Sequence, residues 1–314
     1  VSLTGYVVRR LLQLVPIVLG VTVLVFFLIH LVPGDPARTM LGNHATPQKV
    51  ALLHHQWGLD KPLPVQYWRF LVRMLHGDLG ASLFYSVPAG HLVVQRLPPT
   101  LWLIALSTFL SVLIAVPLAA LAATKRDRAT DHAVRAVPLV GLGFPQFWLG
   151  IMLLLAFSLN LGRAFPVGGY GTGFFGHLRA MFLPALTVAL GIAPILIRSL
   201  RASLLEVFES DYVTTARSKG LPEDRILIHH AMRNAVISTV SVLGVNIGFL
   251  VGATLVVEQV FALPGIGQLM INSIFQRDFP VVQAVTLVFA IMVVLVYLTT
   301  DVVHALLDPR VRFE

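Results

Sequence analysis

Ser210-Asp211-Tyr212-Val213-Thr214-Thr215-Ala216-Arg217-Ser218-Lys219-Gly220-Leu221-Pro222-Glu223-Asp224-Arg225 separates two long apolar segments, 181–203 and 236–260. Ser210 or Asp211 can cap a short helix starting at Tyr212, by accepting from the free N–H groups of its first turn. Arg217 and Lys219 fall in the last turn, where positive charge complements the helix dipole, and Gly220 can take the left-handed conformation that ends a helix. Pro222 then opens a second helix, with Glu223 and Asp224 in its first turn, running through Ile226, Leu227, Ala231 and Met232. Helix–glycine–helix between two apolar segments describes either a rigid projecting knob or an ordinary solvated connection. Capping signals alone leave both open.

The flanking segments belong to a set. Hydrophobic residues make up 56% of the 314-residue chain and charged residues 12%, with a mean hydropathy of +0.82. Such a chain has too little polar surface to cover a soluble globule, so the excess faces lipid. Six stretches approach the roughly 20 apolar residues a spanning helix needs: 9–31, 100–123, 136–161, 181–203, 236–260 and 281–306. Pro138, Pro145, Pro184 and Pro194 predict kinks in the third and fourth. Gly244, Gly248 and Gly252 form a small-residue stripe for close packing, within the chain or against a second subunit. The expectation is an all-α membrane protein of six transmembrane helices. Its parts are a first span in 1–32, a structured extracytoplasmic loop over 33–99 and a five-span core over 100–314 with a cytoplasmic loop at 204–235.

Orientation follows from the basic residues. With both termini cytoplasmic, Arg9, Arg10, Lys125, Arg126, Arg128, Arg135, Arg198, Arg201, Arg217, Lys219, Arg225, Arg233, Arg310 and Arg312 lie inside. The two short outer loops hold only Arg163, Arg179 and Arg277. The net charge of +8 is scattered between apolar runs, which suits topology and lipid headgroups rather than nucleic acid. In the long outer loop, Thr46-Pro47 starts a helix that Gly58 can close. After Pro64, Trp68, Leu71, Val72 and Leu75 share one face and Arg69, Arg73 and His76 the other, with Gly77 as a stop. That helix covers the bundle's outer mouth or lies in the interface, or it also contacts an extracytoplasmic binding protein.

The residues from Asp211 to Leu221, followed by His230-Ala231-Met232-Arg233-Asn234-Ala235, closely resemble the "EAA" loop of ABC importer permeases, most of all the dipeptide/oligopeptide branch. Arg9-Arg10-Leu11-Leu12 with Pro33-Gly34-Asp35-Pro36, Gly58 to Tyr67, Gly77-Asp78-Leu79-Gly80, Pro145 to Gly150, Glu258 to Gly267 and Arg277-Asp278-Phe279-Pro280 are similar to the B-type subunit of that branch. The ordered set covers nearly the whole chain. Three positions depart from the pattern: Thr214 and Thr215 stand where the loop has Glu and Ala, and Ser238 where the branch often has proline.

The resemblance implies a type I ABC importer permease fold in a bacterial cytoplasmic membrane. It implies a second homologous permease subunit, two ABC ATPase subunits carrying ATP and Mg, and an extracytoplasmic substrate-binding protein. Di- or oligopeptides are the expected cargo; haem, nickel chelates and glutathione-like compounds are the alternatives within the class. Asp211, Tyr212, Thr215, Ala216, Arg217, Lys219, Gly220, Leu221, Arg233 and Asn234 are carried over as the ATPase-coupling loop. In this reading Ala216 and Gly220 allow close approach, and Arg217 and Lys219 meet polar groups at the partner's rim.

The remaining residues fit that expectation. No Gly-x-x-x-x-Gly-Lys-Ser/Thr loop occurs, so ATP hydrolysis is assigned to partners and no cofactor to this chain. His54 and His55 diverge on a helix, which argues against a metal pair. The span centres lack the carboxylates of an ion-coupled carrier, with Glu258 and Asp301 towards helix ends. Glu258 precedes a segment, Phe261, Pro264, Gly265 and Gly267, that reads as an outer gate or as an ordinary turn at the interface.

Overall fold

The computed structural model describes residues 3–31, 35–82, 84–160 and 164–307. Pro33, Gly34, Arg163, Arg310 and Arg312, and the side chains of Arg10 and Ser238, lie outside the described residues. Everything described is helical or irregular apart from one isolated bridge between Ala81 and Pro88. In chain order the helices are α1 (Leu3–Leu31), α2 (Pro36–Leu41), α3 (Pro47–Trp57), α4 (Leu63–Leu75), α5 (Ala89–Thr124), α6 (Ala129–Leu142) and α7 (Gln146–Leu154). They continue with α8 (Gly173–Phe208), α9 (Asp211–Ser218), the single turn α10 (Glu223–Arg225), α11 (Met232–Val260), α12 (Ile266–Phe275) and α13 (Phe279–Leu307).

Among the described residues four helices are long and apolar enough to cross a membrane: α5, α8, α11 from Thr239 onward, and α13. A helix satisfies its own backbone groups, which hydrocarbon cannot do for it. Shorter apolar runs occupy Leu12–Phe27 of α1, residues 146–160, and α12. α8 is the central element: 67% of its apolar window is buried, against 22% for α13, so α13 is peripheral. Leu103 and Ala119 of α5 pack with Met181, Leu196 and Leu200 of α8 and with Leu250 and Val257 of α11 in the main core. A second cluster joins the start of α5 to α12 and α13 through Val93, Ile104, Ile266, Leu269 and Val285.

The third expected span is not continuous. It breaks at residues 143–145 between α6 and α7, then passes into a π-helical turn at Leu155–Asn160. Pro145 lacks an N–H and disfavours helical backbone at Phe144, and Gly143 adds no resistance. Proline alone is insufficient, since Pro184 and Pro194 sit inside an unbroken α8. The glycine stripe works within the chain at two positions: Gly244 meets Thr300 and Gly248 meets Tyr297 of α13, whereas Gly252 faces open space.

At the end of the bundle opposite α9, the 35–88 segment is folded as expected in outline. Thr46 Oγ1 accepts from Lys49 N–H (3.3 Å), and Gly58 closes α3 at φ +68°. His54 bonds Asp35 (2.7 Å) rather than standing as a metal ligand pair with His55. The faces of α4 are the reverse of a simple amphipathic reading. Gln66, Tyr67 and Phe70 pack on α1, where Tyr67 OH bonds Thr22 Oγ1 (2.8 Å) and Phe26 lies between the Tyr67 and Phe70 rings at 5.5 and 5.9 Å. Buried Gln66 is satisfied by His30 and by donating to Leu59 and Lys61 carbonyls. The apolar set Trp68, Val72 and Leu75 is exposed.

Candidate functional site

α9 starts where expected, but its cap does not. Ser210 has N-cap backbone geometry, yet its hydroxyl donates back to Val207 O (2.5 Å) instead of accepting from the helix. Asp211 in the first turn complements the dipole. The C-terminus closes as a Schellman motif: Gly220 N–H donates to Arg217 O (2.9 Å) and Leu221 N–H to Ala216 O (3.3 Å), with Gly220 at φ +75°. Leu221 folds onto Val213, Ala216 and Ile226, a small apolar core that Val207 and Phe208 at the end of α8 complete.

Of two residues expected to meet the partner, Arg217 is exposed but engaged within the knob, and Ala216 is buried. Arg217 donates to both carboxylate oxygens of Glu223 (2.8 and 3.2 Å) and to Phe208 O (3.4 Å), with its guanidinium 5.8 Å from the Phe208 ring centre. The hydrogen-bonded Arg217 holds the Glu223 carboxyl below its ordinary range. Ala216 is 5% exposed, so its small side chain serves packing inside the knob. Asp211, Thr215, Lys219, Gly220, Arg233 and Asn234 are exposed. Asn234 Nδ2 donates to Tyr212 OH (2.7 Å), tying the second arm to the first.

That second arm is α10 followed by a π-helical turn, Ile226–Ala231, which runs directly into α11. The wider turn rotates Ile228 into solvent at 61% exposure, beside Tyr212 at 42% as the other large apolar residue displayed by the knob. A count at 3.6 residues per turn does not anticipate this exposure.

The gate candidates converge, but as a packed block. Glu258, expected at a helix end near the interface, is fully buried. Its Oε1 accepts from Thr100 Oγ1 of α5 (2.5 Å) and its Oε2 from Gln268 N–H (2.9 Å). Thr100 Oγ1 in turn accepts from Ile266 N–H (3.0 Å). The chain thus supplies its own anion to the free N–H groups opening α12. Phe261 is 1% exposed; its ring lies against Gly150 of α7, and its carbonyl accepts from Gly169 N–H (3.3 Å). Gly265 and Gly267 are buried around the carboxylate, and Pro264 is half-buried beside them.

Sequence reasoning also missed a buried ion pair. Arg201 Nε and Nη2 donate to the two carboxylate oxygens of Asp131, each at 2.6 Å, and Asp127 N–H adds a third bond (3.0 Å). Asp131 is fully buried and joins the start of α6 to α8 seven residues before α8 ends. Nothing local marks it, because its partner is 70 positions away. Nearby, Ser203, Glu206, Tyr212, Asn234, Ser241 and His304 line an open cavity of about 600 Å³ beside the knob.

A family profile described as "Binding-protein-dependent transport system inner membrane component" matches residues 115–313, and its N-terminal companion matches 3–103. The glutathione transport system permease protein GsiC of Salmonella paratyphi A is 39% identical over 99% of both chains. The protein of the same name from Escherichia coli O6:H1 is 38% identical over the same shares. In shape the chain is similar to one in an inward-facing MetNI methionine ABC transporter, with a TM-score of 0.58 and 19% identity over 69% of this chain and 96% of that one. That likeness is one of fold, the type I ABC importer permease fold. The chain therefore belongs to the family of binding-protein-dependent transport system inner membrane components, and is an inner-membrane permease subunit of an ABC importer.

Proposed function

We propose that this subunit pairs with a second permease chain, is driven by two ATPase subunits through the knob at 210–234, and imports glutathione or a glutathione-like peptide handed over by a binding protein. The observation that carries the coupling role is the self-braced knob: Arg217–Glu223, the Schellman closure at Gly220 and the Tyr212–Asn234 bond make it stiff enough to pass on a push. Tyr212 and Ile228 supply its apolar docking surface, with Lys219 and Arg233 at the rim. Six spans with both termini cytoplasmic put the knob on the ATP side. The 33–99 segment and the Glu258–Gly267 block then lie on the side of the binding protein. ATP hydrolysis, and the Mg it needs, belong to the partner subunits.

Glutathione is favoured over other peptides because the relatives matching 99% of the chain carry that cargo in their names. Proteoliposomes holding the assembled transporter, with binding protein outside and labelled glutathione, test it. ATP-dependent accumulation that dipeptides do not compete for is expected. Uptake persisting with an ATPase-inactive partner sinks the importer mechanism; dipeptide uptake without glutathione uptake overturns the cargo alone.

A further inference from the structure

α4 has three sides: one packs on α1, one is basic and meets Gly58 through Arg69, and one is uncovered apolar surface. At about 100° per residue, Gln66, Phe70, Met74 and Tyr67 form the side against α1. Arg69, Arg73 and His76 form a second, exposed and basic. Val65 (41% exposed), Trp68 (66%), Val72 (36%) and Leu75 (80%) form the third, apolar and uncovered.

We propose that this third side is seated in the bilayer, at the headgroup–acyl boundary of the leaflet opposite the knob, with Arg69 and Arg73 reaching phospholipid phosphates. Position argues first. Tyr67 bonds Thr22, which stands nine residues before the end of α1, about 13 Å along the axis. α4 is therefore alongside the apolar run of α1 and not above it. Continuity argues second: Leu19, Val23, Leu24 and Phe27 of that run are exposed, so α4 extends a surface that is already lipid-facing. Composition argues third. α4 contains Trp68, Arg69 and Arg73 and no acidic residue, the make-up of helices lying in the interface plane. A docked binding protein would approach from water, where α4 offers its basic side.

The chain contains no cysteine, so single nitroxide labels can be placed without background from it. In the assembled transporter in phospholipid nanodiscs, with cysteine-free partners, Trp68→Cys, Val72→Cys and Leu75→Cys should be accessible to oxygen and closed to a water-soluble nickel chelate. Arg69→Cys and Arg73→Cys should show the reverse, in a helical period. Equal nickel access on both sides overturns the proposal. So does nickel access at Val72→Cys and Leu75→Cys that is lost only when the binding protein is added, which assigns the face to that protein. As a second measurement, brominated lipid should quench wild-type fluorescence more than that of Trp68→Phe; equal quenching also counts against it.

Discussion

A Cβ built on Gly265 would stand 2.3 Å from the carboxyl carbon of Glu258, and one on Gly267 would stand 2.9 Å from its Oε2. The two glycines and the carboxylate are therefore one unit, in which absent side chains make room for the anion that caps α12. The approaches are closer than real Cβ atoms make, so either residue can grow only if the buried carboxylate moves. Gly265→Ala should lower the melting temperature of the assembled transporter and its uptake together. Glu258→Ala leaves the buried Thr100 O–H and the half-buried Gln268 N–H without their acceptor, at up to about 1–3 kcal/mol each. Glu258→Gln keeps an acceptor and should fall between. Unchanged melting and uptake in all three variants would dismiss the block as a structural unit.

At the knob, Gly220 sits at φ +75° with open space around its missing side chain, so backbone conformation alone sets the cost of substitution. Gly220→Val should strain the bend by roughly 1–2 kcal/mol. It should assemble normally while transporting fewer molecules per ATP hydrolysed. Gly220→Asn, which tolerates left-handed backbone, should retain most coupling. The ratio of uptake to phosphate release checks both, and a normal ratio in the valine variant removes the bend from the mechanism.

The Arg217–Glu223 brace is exposed, so its thermodynamic contribution should be small, about 0.2–1 kcal/mol in a double-mutant cycle. Its effect on coupling should be larger, because it fixes one arm of the knob to the other. The folded Glu223 carboxyl titrates below the ordinary value of 4.5, held down by its bond to Arg217. Its stabilisation is thus complete above pH 4.5 and is lost as pH falls through the lower folded value. Acidification should melt the knob's amide protection in hydrogen exchange at lower pH in wild type than in Arg217→Ala. Identical pH dependence would mean the pair does not hold the arms.

Asp131→Ala should be the most damaging change outside the core. It strands Arg201, only 14% exposed, without its bidentate partner, and breaking such a pair costs about 3–5 kcal/mol. The measurable outcome is lost assembly, or a much reduced melting temperature if the complex forms. Arg201→Lys should be milder but not neutral, since an ammonium cannot reproduce the two parallel bonds.

What the sequence disclosed follows from range. Apolar length marked the four long helices α5, α8, α11 and α13, and Thr46, Gly58, Gly77 and Gly220 marked helix ends, because caps are written in neighbouring residues. The Gly143–Pro145 break was underestimated: proline reads as a kink in a buried helix, and α8 shows that it often is no more. Within the knob, positions were legible but directions were not. Arg217 and Ala216 were placed on the first arm, but Ala216 is buried in the knob's core and Glu223, six residues on, is the exposed partner that Arg217 bonds. Asp131–Arg201 and Thr100–Glu258 are tertiary pairings with no local signature, and the outward apolar side of α4 depends on where α1 stands.

The knob's internal core of Val213, Ala216, Leu221 and Ile226 has one more consequence. Because Val207 and Phe208 complete that core and Phe208 O accepts from Arg217, the knob together with the last turn of α8 behaves as a detachable plug. If the knob meets the ATPase as proposed, transplanting residues 207–234 onto the stems of a related permease should carry along the choice of motor, leaving cargo preference with the recipient. New transporters could then arise by exchanging plugs, with the rest of the bundle undisturbed.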